Sequence, residues 1–182
     1  MIIGITGTNG SGKGTVVDYL KTKGFAHYSA RGFIVSEIER RGLPVDRSTM
    51  NQTANDLRLK HSPSYIIEEL YKQAEAADGD AIIESVRALG EAEFLRAHGA
   101  KLVAVDADRK LRYERSVARG SHTDHVDFDT WVTQEEREWH NEAAHDMDVP
   151  GVMALADFTI ENNGTVEELR AQVDAALAQA TK

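Results

Sequence analysis

The sequence predicts an α/β fold: a parallel sheet of five strands with helices on both faces, which makes three layers. Short apolar runs alternate with helical patterns along the chain. Three runs, Ile2-Ile3-Gly4-Ile5, Ala81-Ile82-Ile83 and Leu102-Val103-Ala104-Val105, are nearly continuous in apolar character, as strands covered on both faces must be. Glycines and turn residues punctuate the elements between them.

Strands are expected at residues 2–6, 25–29, 81–85, 102–106 and 157–161, the second being polar enough for an edge. Helix one leaves a glycine-rich loop, carries Val16, Val17 and Leu20, and stops at Lys23-Gly24, a basic last turn and a C-cap glycine. A helix over 33–41 ends at Gly42, with Pro44 close behind. Others start near Ser48 and at Ser62-Pro63, an N-cap followed by proline in the first turn. Asp78-Gly79-Asp80 turns into the middle strand. Helices over 90–98 and 108–119 close on Gly99 and Gly120, and a long one spans about 130–145. The last helix opens on a capping box, Thr165-Val166-Glu167-Glu168, and aligns Val166, Leu169, Val173 and Leu177. With no repeat or low-complexity linker, residues 1–182 form one domain.

Apolar residues make up 41% of the chain, and no apolar run approaches the ~20 residues of a membrane span. Met1-Ile2-Ile3-Gly4-Ile5 has no basic segment before it and enters a phosphate-binding motif, so no cleaved signal peptide is expected and a cytoplasmic location is the default. Cysteine is absent, which excludes disulfides and thiolate metal sites. The formal net charge is −9 and no basic stripe is visible, so long nucleic acid is not an expected partner. An anionic ligand has to be held by a few placed cations.

The strongest motif is Gly7-Thr8-Asn9-Gly10-Ser11-Gly12-Lys13-Gly14-Thr15, directly after a strand and directly before a helix. Glycine torsions let several N–H groups converge on phosphate oxygens, the helix N-terminus adds its dipole, and Lys13 adds a full charge. The expected ligands are ATP and Mg2+, contacted by Thr8, Asn9, Gly10, Ser11, Gly12, Lys13, Gly14 and Thr15. The generic pattern places Ser or Thr right after the lysine; here Gly14 stands there and the hydroxyl comes at Thr15.

Gly-Lys-Gly-Thr in this loop resembles the nucleoside monophosphate kinases, adenylate kinase above all. The resemblance implies a P-loop sheet of order 2-3-1-4-5, with an acceptor-binding insertion at about 30–77 and a short lid at about 115–145. Magnesium in that family is held mainly by phosphates and waters, so Thr15 would act indirectly. Glu84-Ser85-Val86-Arg87 resembles the Asp-Gly-x-(Pro)-Arg segment after the middle strand. Glu84 would then orient magnesium-bound water, and Arg87 would hold the acceptor's phosphate. Arg115-x-x-x-Arg119 puts two guanidiniums on one helix face and is similar to the pair that begins the lid; Arg137 is similar to the lid's second helix. Such arginines neutralise a phosphoryl transition state. Arg112 is less well placed by this pattern.

The segment from Ala154 to Thr165 resembles the end of dephospho-CoA kinases and related archaeal adenylate-kinase-like proteins. There Asn162 would lie near adenine; equally, it is the turn before a capped helix. The acceptor segment departs from the family pattern, with Ser29-Ala30-Arg31-Gly32 in place of Thr-Gly-Asp-x-x-Arg. Arg31, Arg47, Asn51, Asn55, Arg58 and Tyr65 are candidate acceptor contacts, with Asn51, Asn55 and Arg58 at helical spacing. His122-Thr123-Asp124-His125 reads as a solvated loop and not a metal site, and His140 and His145 point to different helix faces. Trp131 and Trp139 suit packing of the lid helix.

The resulting expectation is an ATP-dependent kinase for a nucleoside monophosphate or similar small nucleotide, acting as a monomer or homodimer. A dephospho-CoA kinase is the alternative acceptor class. An ATPase or nucleotide-binding regulator of a macromolecular partner is the alternative of another kind.

Overall fold

The computed structural model describes residues 1–120, 126–139 and 147–181. The strands are β1 (Ile2–Gly7), β2 (Ala26–Ser29), β3 (Ala81–Glu84), β4 (Lys101–Asp106) and β5 (Phe158–Glu161). All pairings are parallel, in the order β2-β3-β1-β4-β5. That is the predicted order, with the polar second strand at an edge.

The helices are α1 (Lys13–Thr22), α2 (Ala30–Arg40), α3 (Arg47–Lys60), α4 (Tyr65–Ala76), α5 (Leu89–Ala97), α6 (Arg109–Ala118), α7 (Phe128–Trp139), α8 (Val149–Ala154) and α9 (Val166–Ala180). Alternate side chains of the central strands feed two cores. Ile3, Ile5, Ile82, Val103 and Val105 pack with Val16 and Leu20 of α1 and with Leu169 and Val173 of α9. Ile83 and Leu102 pack on the opposite face with Ile34, Ile38, Leu57, Ile66, Leu70, Leu95 and Val152. The segment expected as an acceptor-binding insertion therefore contributes α2, α3 and α4 to a main core.

Three local differences have physical reasons. The third strand stops at Glu84 because Ser85 turns to φ 74, a left-handed conformation in which the Ser85 and Val86 N–H groups both donate to the Ile5 carbonyl at 3.0 and 3.1 Å. The fourth helix starts at Tyr65 and not at Ser62-Pro63, because the Ser62 and Ser64 hydroxyls both donate to Glu68 Oε1 (2.6 and 2.5 Å), holding a turn ahead of the helix. The short α8 was not anticipated, although Asp148 caps it by accepting from the Gly151 N–H at 2.9 Å and Pro150 stands in its first turn. The final capping box forms as predicted. Of the long helix expected over about 130–145, α7 accounts for the part up to Trp139, while 140–145 lies outside the described residues, as does the loop His122–His125. No helix among the described residues is long and apolar enough to cross a membrane.

All five strands run the same way, so Ser29, Glu84, Gly7, Asp106 and Glu161 end at one edge of the sheet. Gly7 has φ 138 beside β4, and a Cβ there would lie 2.0 Å from the Val105 carbonyl oxygen. Gly7→Ala therefore has to bend the backbone as well as move its neighbour. We expect it to cost about 3 kcal/mol, measured by urea unfolding; a loss within experimental error of zero would contradict the close approach of β1 and β4.

Candidate active site

The loop after β1 takes left-handed torsions at Gly10 (φ 76) and Gly12 (φ 96), and Gly12 caps α1 without a side chain. Side chains at these positions would collide with the surroundings. A Cβ on Gly10 would lie 2.3 Å from the Arg112 carbonyl oxygen, and one on Gly12 would lie 2.2 Å from Asn162 Nδ2. A Cβ on Gly14, by contrast, meets nothing within 4 Å, and Thr15 beside it is exposed, so the start of α1 opens outward.

Lys13 folds back over this loop. Its ammonium donates to the carbonyls of Gly7 (2.9 Å) and Thr8 (2.6 Å). Desolvation first, then the neighbouring positive charges of Arg87, Arg119 and Arg112, lower its pKa from 10.5 to about 7, with Glu84 opposing them. Four cations and one carboxylate are thus close enough to feel one another at the sheet edge of a chain whose net charge is −9. Ser11 Oγ in the loop and Ser116 Oγ beside Gly10 are buried with no hydrogen-bond partner among the described residues. The loop's donors, torsions and charge fit a nucleotide's phosphates.

Several predicted residues meet here. Thr8 Oγ1 donates to Asp106 Oδ1 at 2.6 Å, and Arg119 Nη2 donates to Asn9 Oδ1 at 3.2 Å. Glu84 lies at the end of β3 with its Oε2 2.9 Å from His27 Nε2. Arg87 follows the left-handed Ser85; its carbonyl accepts from the Asp148 N–H at 2.8 Å, and its Nη1 is 3.7 Å from Met147 Sδ. Arg115 Nη1 is buried with no hydrogen-bond partner among the described residues.

Other predicted residues take different roles. Asn162 is buried and donates from Nδ2 to the Ser11 carbonyl at 2.8 Å, so the side chain braces the loop. Arg58 turns into the core and pairs with Glu91, Nη2 to Oε1 at 2.7 Å, which removes it from direct acceptor contact. The shared face expected for Asn51, Asn55 and Arg58 therefore divides: Asn51 is exposed and Arg58 buried. Arg31 is exposed on α2, and Tyr65 stacks on His61 with ring centroids 4.0 Å apart. Arg47 opens α3 and Arg137 lies on α7, but both side chains fall outside the described set.

Sequence reasoning underrated Arg112 and missed Asp106 and Glu135. Arg112 is buried and donates from Nε to the Ala107 carbonyl (2.9 Å) and from Nη1 to the Asn9 carbonyl (3.3 Å). It also pairs with the buried Glu135 of α7 and lies 5.4 and 6.0 Å from the Trp131 and Trp139 ring centroids. Asp106 ends an apolar strand, the same signal that singled out Glu84. Glu135 carried no signal, because an acidic residue on a polar helix looks solvated until a buried arginine is found beneath it.

A family model described as an AAA domain matches residues 3–148. A UPF0200 protein of Thermococcus kodakarensis, TK1334, is 30% identical over 180 residues, covering 95% of this chain and 94% of the relative. The crystal structure of TT1252 from Thermus thermophilus superposes with a TM-score of 0.64 at 22% identity, covering 98% of this chain and 97% of that one. Shikimate kinase from Aquifex aeolicus superposes with a TM-score of 0.58 at 15% identity, covering 100% and 98%. The two structures share the fold.

The lowered pKa of Lys13 has two readable consequences. In the ligand-free protein the unfolded chain holds this proton between pH 7 and 10.5 while the folded chain does not, so the group makes stability rise with pH across that window. A bound polyphosphate favours the charged ammonium, so nucleotide binding above pH 7 takes up a proton. Calorimetric titration of ADP at about pH 8.5, where its phosphates are already ionised, in two buffers of different ionisation enthalpy should give uptake of about one proton. Lys13→Met should abolish that uptake; none in the unaltered protein would refute the burial of Lys13.

Proposed function

Because the chain belongs to the UPF0200 family and shares the AAA-domain P-loop fold, we propose that it is an ATP-dependent phosphotransferase acting on a small acceptor, a nucleoside monophosphate or similar nucleotide. The observation that carries this reading is the desolvated Lys13 surrounded by the charges of Arg87, Arg119 and Arg112 beside a glycine loop. A simple nucleotide-binding module needs the loop and its lysine; the additional arginines suit charge that develops during phosphoryl transfer.

Loop amides and the Lys13 ammonium hold the donor's β- and γ-phosphates. Thr8 and Asp106 fix the loop's first turn through their 2.6 Å bond. Thr15 and Glu84 would hold magnesium through water, and the ion would supply screening of the phosphates' charge. Arg87 holds the acceptor's phosphate; Arg115 stands on α6, Arg119 is the C-cap residue of that helix, and Arg137 stands on α7. Arg31, Arg47 and Asn55, on α2 and α3, supply acceptor contacts. A nucleotide acceptor is already anionic at neutral pH, so in-line attack needs charge neutralisation more than a general base. The fold shared with small-molecule kinases supports a small-molecule acceptor; the sequence resemblance supports the nucleotide class. A cytoplasmic location fits an ATP-consuming reaction.

The test is an ATP–magnesium phosphotransfer screen over ribo- and deoxyribonucleoside monophosphates, dephospho-CoA, shikimate and gluconate, with an acceptor-free control. ADP release that depends on one nucleoside monophosphate is expected, and Lys13→Ala should lower kcat by about 10³-fold. Equal ADP release with and without every acceptor would replace this reading with an ATPase, and full transfer by Lys13→Ala would remove it.

A further inference from the structure

We infer that Glu91 and Arg58 are positioning residues for Arg87, coupling the helix that carries acceptor contacts to the arginine that grips the acceptor's phosphate. This rests on the reading of Arg87 just given.

Glu91 lies in the first turn of α5 with no solvent exposure. Its Oε2 accepts from the N–H of Arg87 (2.8 Å) and of Ala88 (3.1 Å). Its Oε1 accepts from Arg58 Nε (3.1 Å) and Nη2 (2.7 Å). An exposed glutamate would cap α5 equally well without any cation. Burying the carboxylate is tolerable only with a partner charge, and that charge comes from α3, 33 residues earlier in the chain. The carboxylate is a rigid plane whose two oxygens serve two elements. Displacement of α3 therefore moves the guanidinium, turns the carboxylate and withdraws its other oxygen from the Arg87 amide.

The opposite side of Arg87 is held as well, since its carbonyl accepts from the Asp148 N–H. The peptide groups on both sides of the Arg87 Cα are thus pinned, and one of these attachments runs through Glu91 to α3. That helix is tied in turn to α2 by Arg41, which donates to Asp56 at 2.7 Å and to Glu37 at 2.7 Å. An acceptor seated against α2 and α3 would set the position of Arg58, and through Glu91 that of Arg87. An acceptor that fails to seat those helices leaves Arg87 misaligned.

Arg58→Met alone strands a buried carboxylate and could unfold the protein, so the test uses the double variant Arg58→Met/Glu91→Gln. The amide oxygen of glutamine still accepts from Arg87 and Ala88, while the link to α3 is cut. AMP, CMP, GMP and UMP are titrated at saturating ATP, and ATP at saturating acceptor, for the unaltered protein, the double variant and Arg87→Ala. The expected result is an acceptor KM raised about tenfold in the double variant with the KM for ATP within about twofold, and a raised acceptor KM in Arg87→Ala. Amide exchange at Arg87 and Ala88 should quicken while the amides of β1 and β4 stay protected.

If Arg87→Ala is impaired but the double variant keeps its acceptor KM, the positioning role is overturned and the reading of Arg87 stands. If Arg87→Ala also keeps its acceptor KM, the phosphate reading of Arg87 fails and the positioning role falls with it. A parallel rise of both KM values with lost thermal stability reduces the pair to a structural strut. If none of the four nucleotides is phosphorylated, the nucleotide reading falls, and slowed or unaltered exchange at Arg87 would overturn the coupling on its own.

Discussion

The constraint on which the rest depends is that a half-buried lysine at the end of a parallel sheet needs partners for its ammonium. Lys13 meets that constraint by donating to two carbonyls of its own loop, which requires the loop to curl tightly enough to present them. Left-handed torsions at Gly10 and Gly12 produce the curl, and the surrounding elements then close on it. The carbonyl of Arg112 fills the space beside Gly10, and Asn162 fills the space beside Gly12. The loop is therefore braced by α6 and by the residue that follows β5, neither of which is close to it in the chain.

Two buried carboxylates extend this arrangement outward. Glu135 ties α7 to Arg112, whose guanidinium also touches the Asn9 carbonyl of the loop. Glu91 ties α3 to the backbone of Arg87. Such pairs add little net stability compared with apolar side chains of the same shape, because each ion loses its hydration. They do define one geometry, since either charge left alone in the core would be costly. Each of these two helices is thereby tied to the residues around the phosphate loop or to the turn after β3.

One strained residue stands at the same end of the sheet. Ser85 holds a left-handed torsion that glycine would adopt freely. It is kept there because its N–H and that of Val86 share the Ile5 carbonyl across the β3–β1 pairing. The turn sends Glu84 toward Lys13 and His27, and starts the chain toward Arg87 and the Glu91 clamp. A tight reversal at this point places a carboxylate and a guanidinium three residues apart around one charged centre.

The sequence by itself determined the layered fold, the phosphate loop and most helix boundaries, because these are local: apolar runs, glycine spacing and caps act over a few residues. It also marked Lys13, Glu84, Arg87, Arg115, Arg119 and Arg137 as site candidates, Lys13 through its motif and the others through the family resemblance. Only the tertiary structure decided which polar residues are buried in pairs and which stay exposed. Arg58 and Arg31 look alike as basic residues on helices, yet one is buried against Glu91 and the other is exposed. Asn162 and Asn9 look alike as loop amides, yet one braces the loop and the other belongs to it. The reason is that helical spacing fixes relative faces but not which face meets the core. For α3 that is decided by a carboxylate 33 residues away, and for α6 by one on a separate helix 23 residues on.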